Sequence, residues 1–262
     1  MFNYSFSIQD FEFYLLILTR VSCFVFAAPF FSTPNVPRRV KVGFSLFVAF
    51  VLYRFVVPHY LLTYDTVLGY AVLVIREAIA GVLLGLSTNL CMFIVQFVGT
   101  LTDMDIGLSM VNFFDPVTRT STGFTGTLYQ YSILLILCVT DMYQWLFRAF
   151  VDSYELIPTG RIVFDMDVLF ESMAAFITDY VVIGFRIFLP VFGAMLLLNA
   201  ILGIMAKIAP QMNMFTVGMQ IKILVGLGVL FLTIGMLPSI SDYIFSEMQV
   251  MFERFAGGMS AG

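Results

Sequence analysis

The segment Leu101–Gln130, LTDMDIGLSMVNFFDPVTRTSTGFTGTLYQ, interrupts a chain that is otherwise a succession of long apolar runs. It mixes Asp103, Asp105, Asp115 and Arg119 with Gly107, Gly123, Gly126 and a run of Ser and Thr. That makes it too polar and too glycine-rich for an ordinary spanning helix. Yet Ile106, Leu108, Met110, Val111, Phe113 and Phe114 stand close together within it. Irregular backbone in a membrane protein is tolerated only where protein buries it or where it lines a cavity. Two readings fit this composition: a surface loop whose Met and Phe rest on the bilayer, or a movable stopper with a bulky apolar middle and small flexible flanks.

Outward from this loop, the apolar runs read as helices, because a membrane span needs roughly 20 residues. The first run covers about Phe11 to Phe31 and contains Arg20; PFFSTPNVPRRVK then punctuates the chain with Pro29, Pro34 and Pro37. The second runs from Val40 to Val57. Val67 to Val98 and Val168 to about Ala206 exceed a single span, so each must tilt, bend or project beyond the bilayer, with Pro190 a natural kink in the latter. Leu128 to Val151 and Met219 to Leu237 complete the set. The tail from Ser241 to Phe255 is amphipathic, with Tyr243, Ile244, Met248, Met251, Phe252 and Phe255 at near-helical spacing. Arg38, Arg39 and Lys41 follow a first helix whose leading side is acidic, which places the N-terminus outside and the Arg38 loop in the cytoplasm. Asp10 and Glu12, ahead of the first apolar run, are the wrong charges for a signal peptide.

Composition sets the class. Of 262 residues, 60% are hydrophobic and 11% charged, and the mean hydropathy is +0.97. A soluble domain averages about 25% charged residues. This is the profile of an all-α integral membrane protein. The net charge of −4 and thirteen scattered Lys and Arg leave no footprint for nucleic acid. Cys23, Cys91 and Cys138 sit in apolar runs and His59 is the single histidine, so neither a disulfide frame nor a metal centre is expected, and no cofactor. HExxH, GxSxG and P-loop patterns are absent, so the chain is not expected to be an enzyme.

Several charges fall inside the apolar runs: Arg20, Arg76, Glu77, Glu171, Asp179, Arg186 and Lys222. Each costs about 2.5–3.5 kcal/mol at a helix centre and so needs a partner or water. Neighbours on a helix point about 100° apart, so Arg76 and Glu77 pair with other helices and not with each other. Asp179 and Arg186 stand two turns apart on one face and could share a polar seam. These groups read either as a relay for protons or ions or as salt bridges between helices and subunits. Ala78, Gly81 and Gly85 form a GxxxG-spaced stripe that permits close helix packing.

The stretches RVSCFVFAAPFFSTPNVPRRVKVG, REAIAGVLLG and LNAILGIMAKIAPQMNMFTVGMQIK resemble the FliR family of flagellar export-gate proteins, related to the SctT subunit of virulence secretion systems. The APQMNMF turn, with Pro210, Gln211, Asn213 and Phe215, and the trio Arg76-Glu77-Ala78 are its most specific pieces. The resemblance implies long, kinked helices in hairpins, with a FliP-like part over 1–151 followed by a FliQ-like part over 168–256. It implies assembly with FliP and FliQ homologues, and with FlhB and FlhA, in a helical hetero-oligomeric cone at the flagellar basal body. That cone conducts unfolded flagellar proteins across the bacterial inner membrane. It also implies that the loop 101–127 plugs the closed channel, with Gly107, Met110, Val111, Phe113 and Phe114 as the gate and Gly123 and Gly126 as hinges. The competing class is a secondary transporter working through its intramembrane charges.

Overall fold

A computed structural model describes residues 8–29, 31–32, 36–55, 62, 64, 66–109, 123–209, 211 and 213–260. Among them are eight helices: α1 Ile8–Ala27, α2 Arg38–Phe55, α3 Val67–Ile106, α4 Phe124–Val139, α5 Met142–Leu156, α6 Met166–Ile208, α7 Met214–Ile234 and α8 Leu237–Gly257. The chain is thus all-α over its described length. At about 1.5 Å per residue, α3 and α6 are each roughly twice as long as the ~30 Å hydrocarbon core is thick.

Three boundaries and the status of two helices differ from the sequence reading. The run Leu128–Val151 is two helices and not one, because Asp141 takes a left-handed conformation (φ 55°) between α4 and α5. Asp is among the few residues that adopt it cheaply, and an apolar count does not register such a break. Leu101–Ile106, read as loop, continues α3, and the helix stops at Gly107 with φ +94°. Its N–H bonds back to the Asp103 carbonyl, a glycine C-terminal stop. The helix expected from Met219 begins at Met214. Finally, α1 and α2 are helices but not apolar enough to count as spans, since α1 carries Asp10, Glu12 and Arg20 and α2 carries Arg38, Arg39, Lys41 and Arg54. Among the described residues three helices meet that test, or four if α4 and α5 form one broken span. α6 runs on through Pro190.

The contacts divide the chain into two units, each assembled from separated stretches. The first holds residues 1–90, 141–176 and 246–262. Here α1 buries Phe13, Leu16, Ile17, Arg20, Val21 and Phe24, a stripe at three- and four-residue spacing. Phe24 stacks on Phe150 of α5 with centroids 4.0 Å apart. The end of α8 packs here too, burying Met248, Met251, Phe252 and Phe255, while Asp165 N–H bonds to the Gly258 carbonyl at 2.9 Å. The second unit holds residues 91–140 and 177–245. Its interior includes Val95, Val98, Ile106, Ile133, Leu137, Met195 and Leu230.

Close approach in the first unit depends on absent side chains. A Cβ on Gly81 would overlap the Arg20 carbonyl, and one on Gly85 would lie 2.6 Å from Ala27 Cβ and 2.8 Å from the Phe24 carbonyl. The obstacle is α1 backbone, which cannot rotate away. We therefore expect Gly85→Val to cost about 1–3 kcal/mol through overpacking and to lower the thermal midpoint of the detergent-purified protein. Gly43→Ala on α2, where nothing lies within 4 Å of the new methyl, should leave that midpoint unchanged or raised.

Candidate functional site

The charges divide by unit. In the first, Arg20 of α1 and Glu77 of α3 form an ion pair, Nε to Oε2 at 2.6 Å, with both side chains wholly out of solvent. Two further groups of the pair are met by the connection between α5 and α6, while Arg20 Nη2 is buried without a hydrogen-bond partner among the described residues. Arg20 Nη1 donates to the Ile157 carbonyl at 2.8 Å, and Gly160 N–H donates to Glu77 Oε1 at 2.7 Å. The guanidinium also lies 4.4 Å from the Tyr154 ring centre. Gly160 has φ +78°, which only glycine adopts without strain, so its N–H reaches Glu77 through a turn that a side chain would oppose. Arg76, one residue earlier, is exposed and reaches the Ile162 carbonyl at 3.4 Å. The 100° step along α3 accounts for the contrast. Sequence reading flagged Glu77 but not Arg20 as its partner, nor the roles of Ile157 and Gly160. The only signal was that two opposite charges sat inside apolar runs, the first and the third.

In the second unit, a carboxylate pins the base of the central loop. Asp103, near the end of α3, accepts the Thr125 hydroxyl on Oδ1 at 2.5 Å and the Thr125 N–H at 3.2 Å on both oxygens. Thr125 stands in the first turn of α4, so Asp103 caps that helix from another one. An acid there satisfies N–H groups without an intrahelical partner and suits the positive helix end. Gly123 is the N-cap residue and has no side chain of its own to offer. Its Cβ, if present, would overlap the Asp103 carboxylate. Burial pushes the Asp103 carboxyl up, against the opposing pull of its bonds from Thr125. Burial also raises the Asp105 carboxyl, with the Lys222 charge drawing it back. One turn further in, Gly99 meets Gly126 backbone to backbone, and a Cβ on Gly99 would overlap Gly126. Gln96 and Gln130 join by a side-chain hydrogen bond of 3.0 Å.

The other sequence-flagged residues fall as follows. Gly107 ends α3, Gly123 caps α4, and Gly126 is buried inside the first turn of α4. Met110, Val111, Phe113 and Phe114 lie outside the described residues, as does Pro210. Gln211 and Asn213 are exposed, with Asn213 the N-cap of α7, and Phe215 lies in that helix. Asp179 and Lys222 are half-buried; Arg186 is exposed and makes no ion pair with Asp179 or with any other described residue, its guanidinium lying 5.7 Å from the Tyr243 ring centre.

Two outcomes follow from this geometry. Glu77→Gln leaves the Arg20 charge buried without its counter-ion and should cost about 3–5 kcal/mol, whereas Arg20→Met combined with Glu77→Leu should cost less than that single change; urea titration in detergent reads both. At the loop base, Gly99→Ala should lower the thermal midpoint and impair function, while Gly126→Ala, whose methyl meets nothing nearer than 3.5 Å, should be tolerated.

The family model for bacterial export proteins, family 1, matches residues 11–248. The flagellar biosynthetic protein FliR of Bacillus subtilis is 27% identical over 241 residues, covering 91% of this chain and 92% of that protein. FliR of Escherichia coli K12 is 23% identical over 237 residues, covering 90% and 89% respectively. FliR of Aquifex aeolicus is 24% identical over 244 residues, 92% of each chain. The match takes in Arg20 and Glu77, the Asp103–Thr125 cap and every helix but the last turns of α8, and the chain belongs to the bacterial export proteins, family 1, as a membrane protein of the FliR kind.

Proposed function

We propose that this chain is a structural and gating subunit of the flagellar type III protein export channel of the bacterial inner membrane, acting without catalysis. In this reading it assembles with FliP and FliQ homologues in a helical cone, contacts FlhB and FlhA, and contributes the 101–127 region as a flap that closes the passage to ions and yields to unfolded flagellar proteins. The FliP-like character of 1–151 and the FliQ-like character of 168–256 belong to this reading as a statement about sequence order, since both contact units draw on both stretches.

The observation that carries the gating part is the pinned loop base. Asp103 and Thr125 tie the end of α3 to the start of α4, and Gly99 and Gly126 let the two helices touch. A flap anchored at both ends can bear bulky residues such as Met110, Phe113 and Phe114 without releasing them. Apolar rings block ions by dewetting, and thioether and aromatic groups adapt to a passing chain. Large apolar side chains left exposed on α6 and α7, such as Phe185, Leu197, Leu224 and Phe231, support a surface made to be covered.

The transporter reading loses one of its intramembrane charges, because Glu77 spends both oxygens on Arg20 and Gly160. Deleting Gly107–Phe114 should leave the subunit assembled yet make the membrane leaky to ions, as read by an ion-sensitive dye in cells. An unchanged membrane together with unchanged secretion would remove the stopper from the proposal.

A further inference from the structure

Within the second unit, α6 and the corner between α7 and α8 enclose a cleft of about 350 Å³. Ile183, Ile187 and Pro190 of α6 form one wall, and Met236, Leu237 and Ile240 of the corner form the other. Polar groups are few. Tyr129 and Thr233 are occupied with each other through a 3.1 Å hydrogen bond. Among the described residues Arg186 is the single charged residue of the lining. It is exposed, rests beside the Tyr243 ring and makes no ion pair among the described residues.

We propose that this cleft is a phospholipid site, in which Arg186 holds the phosphate of a net-anionic headgroup while an acyl chain lies against Ile183, Ile187, Pro190 and Leu237. Three features favour that occupant. Arg186 stands at the middle of α6, about 30 Å along the axis from either end. Whichever half of α6 crosses the ~30 Å hydrocarbon core, Arg186 falls at the level of the headgroups. Next, a guanidinium presents paired donors that match phosphate oxygens, and with no carboxylate against it the charge favours an anionic over a zwitterionic lipid. Finally, Met236 of the lining is itself an exposed apolar side chain, which suits lipid tails.

The test is photo-crosslinking with a benzophenone amino acid in place of Ile187, in the full chain in its native membrane. Mass analysis should find an adduct of glycerophospholipid mass, with phosphatidylglycerol enriched over its share of the membrane. Arg186→Gln in the same chain should reduce that adduct about tenfold, as for loss of a charge-assisted hydrogen bond, and Arg186→Lys, which keeps the charge but not the paired donors, should fall between that and the unaltered chain. A protein adduct at Ile187 would overturn the proposal in favour of a partner side chain. It is equally overturned by the absence of any lipid adduct, by an adduct indifferent to Arg186→Gln, or by one with no headgroup preference. None of these outcomes depends on whether the chain gates an export channel.

Discussion

Arg20 and Glu77 meet where water does not reach, and the first unit is organised around satisfying them. Bringing a guanidinium and a carboxylate out of water costs several kcal/mol per ion, and their attraction offsets this only when the remaining donors and acceptors are also used. The chain meets that condition in part, with backbone for Arg20 Nη1 and Glu77 Oε1, while Arg20 Nη2 stays buried without a hydrogen-bond partner among the described residues. The Ile157 carbonyl and the Gly160 N–H come from one short connection between α5 and α6, and each addresses a different member of the pair. The ion pair therefore fixes three things together: the facing of α1 on α3, the path of the connection, and the left-handed turn at Gly160. Such a pair adds less to stability than to specificity, because sliding α1 along α3 by one turn would leave both charges buried and alone.

Steric exclusion does the complementary work. The same helix α3 carries two kinds of glycine contact, one in each unit. Gly81 and Gly85 let α1 approach close enough for Arg20 to reach Glu77. Gly99 lets α4 approach close enough for Thr125 to reach Asp103. In both places a polar bond only a few ångströms long is made possible by a missing methyl nearby. Packing in a membrane gains little from the hydrophobic effect, since lipid is as apolar as leucine, so close van der Waals contact and interhelical polar bonds carry more of the load.

Much of this was legible in the residues, and the gaps have physical causes. Long apolar runs announced the helices, and the Ala78-Gly81-Gly85 spacing announced a close contact, because both are properties of one helix face. The 100° step from Arg76 to Glu77 told that they do not pair with each other. What a single helix cannot disclose is its partner: Arg20 lies 57 residues from Glu77, and nothing in either stretch names the other. The central segment misled for a different reason. Its Asp103 and Asp105 read as loop residues by polarity, although Asp103 belongs to α3 and serves as the cap of α4. Gly123 and Gly126 read as flexible because glycine is permissive; in the structure a Cβ on Gly123 would overlap the Asp103 carboxylate, and Gly126 is the backbone that Gly99 lies against. Asp141 breaks a helix by a backbone angle that its neighbours' apolar character conceals.

The length of α6 closes the account of what surrounds this protein. Large apolar side chains remain exposed along most of it, from Phe170 through Leu189 and Leu197 to Ile208. Hydrocarbon covers only about 30 Å of helix unless the tilt is steep, roughly half of what α6 offers. The other half would present isoleucine, leucine and phenylalanine to water at about 25 cal/mol for each Å², a large fraction of the 5–15 kcal/mol that typically holds a domain folded. A chain with this helix therefore gains stability from neighbours that take up the remainder, and its membership of an export family supplies a setting in which such neighbours exist. The half-buried and exposed charges of the second unit, Asp179 and Arg186, fit the same logic. Asp179 and Arg186 have no ion-pair partner among the described residues, so their counterparts are to be sought at the surface, whereas the Lys222 charge acts on Asp105.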